Sequence, residues 1–164
     1  MTEAREYLIV RNLQRALLAI TVASGYHYGL TQAAVKIDPN TDLDQLLGDS
    51  ALRPFAVVQV LPETWVVSGS RPSSADLTLP MSIHWVSQTT EATDEARLLT
   101  FYRGCADIER AIVSDRQRGG LAQDTIITGR TLERIDDGAQ VWARIDIQIR
   151  THRTYGVPDT TETG

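Results

Sequence analysis

The sequence predicts an α+β fold, a mainly antiparallel sheet with two helices packed on one of its faces. Three observations point there. Two segments, one at the start and one past the middle, space their apolar residues at helical intervals. β-Branched or strictly alternating runs fill most of the remainder, and the last two of these meet across an Asp-Gly step suited to a hairpin. With 164 residues, 42% of them hydrophobic and 23% charged, one core is expected. The expected division is a single domain over residues 1–153 and a flexible C-terminal tail over residues 154–164.

From Thr2 to about Ala23, Leu8, Ile9, Leu13, Ala16, Leu17 and Ile20 fall on one helical face, opposite Arg5, Arg11, Asn12 and Arg15. Gly25-Tyr26-His27-Tyr28-Gly29 breaks that helix. A short strand is expected at Ala33–Ile37, stopped by Asp38-Pro39, and one helical turn at Asp42–Leu47. Phe55–Val60 and Thr64–Val67 read as consecutive strands, followed by a polar connection from Ser68 to Ser74. Beyond it Leu77, Leu79, Met81, Ile83 and Trp85 occupy one strand face, with Thr78, Ser82 and His84 on the other. Pro80 cannot donate to a ladder, which predicts an edge position or a bulge. Thr93 or Asp94 caps a second helix reaching roughly Asp115, with Leu98, Tyr102, Cys105, Ile108 and Ile112 as its buried stripe. Gly119-Gly120 ends it, after Arg116 and Arg118 have placed cations at its negative end. Thr125–Ile135 and Gln140–Arg150 form the closing hairpin.

Composition narrows the function. No apolar run approaches the roughly 18 residues of a membrane span, and the first residues lack the pattern of a signal peptide, so no membrane role is expected. A net charge of -5 disfavours whole-surface attraction to nucleic acid or anionic lipid. Lys36 is the only lysine; the arginine bias fits either extensive subunit contacts or a GC-rich coding sequence. Cys105 has no partner within the chain for a disulfide and sits on an apolar stripe, where cysteine is usually a small hydrophobe. His27, His84 and His152 show no metal-ligand spacing, neither glycine cluster forms a phosphate loop, and Asp136-Asp137 belongs to a turn. No catalytic, cofactor-binding or metal residue is therefore assigned, and the protein is not expected to be an enzyme.

What remains is surface. The outward face of the last strand, Trp142, Arg144, Asp146, Gln148 and Arg150, sets a large aromatic beside alternating charges, as a subunit interface or an ordinary solvated face would. Trp65 near a strand end and Arg71 in the adjoining connection extend the candidate interface. Arg144→Glu or Arg150→Glu should then impair assembly more than stability.

The element order resembles the tail terminator and tail-completion (neck) proteins of long-tailed bacteriophages. The residues carrying that likeness are the opening helix, Ile108-Glu109-Arg110-Ala111-Ile112-Val113-Ser114-Asp115 followed by Gly119-Gly120-Leu121-Ala122, and the closing strands Thr125-Ile126-Ile127-Thr128-Gly129 and Val141 to Ile149. The resemblance implies a ring, usually hexameric, that caps the tail tube, ends tube growth and offers a surface for head attachment. Its implied partners are sister copies, the tail tube protein, a head-side connector protein and, in a contractile tail, the sheath. DNA would pass through the lumen without specific binding. The implied location is the virion's tail and neck, after assembly in the host cytoplasm. Rival readings are a head-closure or tail-completion adaptor and a small enzyme without a recognisable motif.

Overall fold

A computed structural model describes residues 4–31, 35–37, 54–67, 74–89, 93–134 and 140–154. The expected turn at Asp42–Leu47, the connection containing Arg71, the Asp136-Asp137-Gly138-Ala139 turn and the tail beyond Thr154 lie outside the described residues. The elements run α1 (Arg5–Leu18), β1 (Val35–Ile37), β2 (Phe55–Val60), β3 (Thr64–Val67), β4 (Ser74–Gln88), α2 (Asp94–Val113), β5 (Asp124–Arg134) and β6 (Gln140–Thr154). Six strands form one sheet in the order β1-β2-β4-β6-β5, with β3 also on β4. Among the described residues only β1 and β2 pair in parallel, so the fold is α+β with a mostly antiparallel sheet.

β4 is the axis of this sheet. It pairs along all fifteen residues with β6, while its other edge is shared by β2 and β3. The last pair to β2 is Val60↔Met81 and the first to β3 is Thr64↔Thr78, so Leu61, Pro62 and Glu63 face only Leu79 and Pro80. This extra residue makes an interruption of the kind Pro80 requires: Pro80 accepts from Leu61 N–H at 3.0 Å, so its missing donor also points at the break. Pro80 thus marks a bulge in a central strand, and the alternative of an edge strand is excluded.

One face of the sheet carries the core. Leu77, Leu79, Met81, Ile83 and Trp85 of β4, Ala143, Ile145, Ile147 and Ile149 of β6, and Ala56 and Val58 of β2 are buried there with α1 and α2. Helix α1 is shorter than its apolar pattern. Ile20 N–H already turns back to Leu17 O, and the Thr21 hydroxyl accepts from Ser24 N–H to start a 3-10 turn, Val22–Ser24, closed by Gly25 at φ 80°. In α2, Thr93 is the cap, accepting from Ala96 N–H at 3.2 Å. The expected stripe is shifted in its first half: Phe101, Cys105, Ile108, Ala111 and Ile112 are buried, whereas Leu98 and Tyr102 are about half exposed. Gly104 explains the roll. A Cβ there would lie 2.4 Å from Trp85 Nε1, so the helix rests its glycine on the indole and turns Leu98 and Tyr102 outward.

Candidate interaction surfaces

The sheet face away from the helices divides into three zones. At the end where β2 begins, Phe55, Val57, Val86 and Trp142 are all buried, forming an apolar cluster on the second face. In the middle lies a polar chain across four strands. His84, 5% exposed, meets Glu133 Oε2 through Nδ1 and Gln59 Oε1 through Nε2, both at 3.1 Å. Arg144 donates to Glu133 Oε1 at 3.1 Å and reaches Asp146, which accepts from Ser82 Oγ at 2.6 Å. Glu133 reaches both bases because it is the extra residue of a β5 bulge, between the pairs Leu132↔Ala143 and Arg134↔Trp142. At the far end Thr64, Thr78 and Arg150 form one row across β3, β4 and β6, and here the face is open.

Trp65 and Arg150 therefore lie at the same end of the sheet, both exposed, and Arg150 has no ion-pair partner among the described residues. Arg144 and Asp146 occupy the expected face but are tied into the polar chain. Trp142 is a correction: alternation placed it on the right face, yet it is 5% exposed, because Phe55, Val57 and Val86 share a covered apolar cluster with it. Its indole is not presented to a partner.

Other groups with chemical potential have structural employment. Asp107, 2% exposed on α2, accepts from His27 N–H (3.1 Å), Tyr28 N–H (2.9 Å) and His27 Nδ1 (2.8 Å), fastening the Gly25–Gly29 loop to the helix. Arg110 secures the same loop, donating to Gly25 O at 2.9 Å and stacking on Tyr26. Single-residue spacing gave no hint of this acid, since its burial depends on a loop eighty residues away. Cys105 is fully buried and its thiol is pushed up to about 11 by burial and by Glu109, leaving no nucleophile at neutral pH. Arg118, buried at φ 50°, donates to Ile112 O at the end of α2, and burial lowers its guanidinium pKa. Arg116 forms a two-bond fork with Asp124, at 2.9 and 2.7 Å.

Among the described residues no three His, Cys, Asp or Glu side chains converge as a metal-binding group, and no helix is long and apolar enough to cross a membrane. The sequence matches no family profile and no curated protein.

Proposed function

We propose that the protein is a structural component of a long-tailed bacteriophage virion, a tail terminator whose copies form a ring, six in the usual arrangement, on the end of the tail tube. The observation that carries this reading is an asymmetric protomer: both helices cover one sheet face, while the strand β3 leaves an apolar edge open at the end of the sheet where Arg150 is also exposed. Such a body has surfaces for neighbours but offers the polymerising tube no copy of its own growing end. Termination is then a mismatch of surfaces and needs no bond chemistry. Its partners are sister copies, the tube protein and a head-side connector, with the sheath added in a contractile tail; the acidic balance of -5 suits a lumen that passes DNA without holding it.

Electron microscopy of tails assembled without the protein tests the reading. Overlong tubes are expected. Tubes of normal length that fail to join heads would overturn termination in favour of a neck adaptor acting on the head connector.

A further inference from the structure

Arg118 is 0% exposed, the most deeply buried charged side chain among the described residues. Most of its hydrogen-bonding capacity is unspent. One guanidinium nitrogen donates to Ile112 O at the end of α2, but Nε and Nη1 have no hydrogen-bond partner among the described residues. Asp115, the acid that acts on it electrostatically, commits Oδ2 to Gly119 N–H at 2.7 Å and to the Asn12 amide at 3.3 Å, and forms no ion pair with it. A guanidinium stays protonated in proteins, so it cannot shed its desolvation cost by losing a proton. That cost stays in the folded state.

The backbone beneath it is strained as well. Arg118, at φ 50°, is the only non-glycine residue with positive φ among those described, and Gly119 and Gly120 follow at 70° and 83°. Of these three left-handed residues in a row, the two glycines can leave that conformation without steric penalty. Both ends of the segment are tied. Arg116 is forked onto Asp124, Thr125 Oγ1 donates to Arg116 O at 2.8 Å, Ala122 N–H to Gln117 O at 2.9 Å and Gln123 N–H to Arg150 O at 2.8 Å. The middle is slack: the N–H of Arg118 reaches Asp115 O at 3.3 Å and its carbonyl accepts from Leu121 N–H at 3.4 Å, the longest backbone bonds between residues 114 and 123. Residues 118–120 can therefore turn while α2 and β5 stay in place.

We infer that residues 118–120 are a latch. The folded protein alternates between a state with Arg118 stowed against the end of α2 and one in which the Gly119-Gly120 hinge swings its guanidinium into water, with the sheet and both helices intact. Outward, Arg118 joins Arg116 and Arg150, which are already exposed at that end of the sheet. The two states present different charge to a partner docking there, which is what a switch requires.

Side-chain labelling tests it. Folded protein is treated sparingly with phenylglyoxal, which modifies arginine, and in parallel with an aromatic disulfide reagent that reads Cys105, fully buried in α2. Arg118 is followed by peptide mass spectrometry, and each rate is divided by that of the same residue in the denatured chain. On this scale Arg118 should react more than about tenfold faster than Cys105, and urea below the unfolding transition should accelerate Cys105 but not Arg118. Scaled rates within tenfold of each other, or a shared urea dependence, would mean that Arg118 emerges only when the whole domain unfolds, and would overturn the latch. A variant separates a stowed charge from a cap that α2 needs. Arg118→Met removes the charge but keeps a flexible side chain, and should hold the melting temperature within about 2 °C or raise it. Any larger fall would make the guanidinium a required cap and overturn the inference.

Discussion

Asp107 shows how much one buried carboxylate can hold. Its oxygens satisfy two backbone amides and the His27 ring, so Asp107→Ala orphans all of them and should destabilise the fold by about 2–4 kcal/mol in chemical denaturation. His27→Ala should cost less, since both amides keep their acceptor; equal losses would mean that the ring contact carries the whole effect. Gly104→Ala drives a methyl into Trp85 and is expected to cost about 1–3 kcal/mol by the same measurement. Cys105 gives a pH prediction. The folded thiol, raised from 9.0 to about 11, holds its proton more tightly than the unfolded one, so its contribution is present below pH 9 and is lost as pH rises toward 11. Native protein at pH 8 should resist an aromatic disulfide reagent until denaturant is added. Cys105 as a buried hydrophobe was legible from helical spacing alone. Asp107 and Gly104 were not, because each answers to a contact with a distant element.

Among the elements, β6 separates what alternation reveals from what it hides. The sequence placed Trp142, Arg144, Asp146 and Arg150 on one face, and the register with β4 agrees, pairing Arg144 with His84 and Arg150 with Thr78. Whether that face is covered was invisible, since coverage depends on β2 and on a bulge in β5 that brings Glu133 between His84 and Arg144. Two substitutions of identical chemistry therefore part company. Arg150→Glu alters an exposed position without an ion pair among the described residues and should leave the melting temperature within a degree or two while weakening assembly on tubes. Arg144→Glu would set a third carboxylate beside Glu133 and Asp146, and a loss of about 1–3 kcal/mol is expected in thermal denaturation. Both helices and all six strands were readable from periodicity, while proline chemistry narrowed Pro80 to an edge or a bulge and the pairing of β4 with both β2 and β6 decided for the bulge. The roll of α2 that exposes Leu98 and Tyr102 was not, because a helical stripe is ambiguous by one position where apolar residues outnumber those the sheet can cover.

For the whole molecule, a protomer whose helices cover one sheet face, and whose other face is closed over its apolar end and open only near Arg150, should sediment as a monomer at micromolar concentration and associate only on a tube end; a tight dimer in free solution would contradict the ring reading. The sheet's construction also bears on how such a chain comes into being in a crowded cell. Its longest pairing joins β4 to β6 from Ser74↔Thr154 to Gln88↔Gln140, so the central strand waits for the last strand before both its edges are satisfied. During synthesis, residues 74–88 must spend the time needed to translate some sixty further residues with one flank bare, several seconds at about 5–20 residues per second. Helix α2, made in that interval, can lean on Trp85 through Gly104 and shield the apolar side of β4, which makes it a temporary escort as well as a permanent layer.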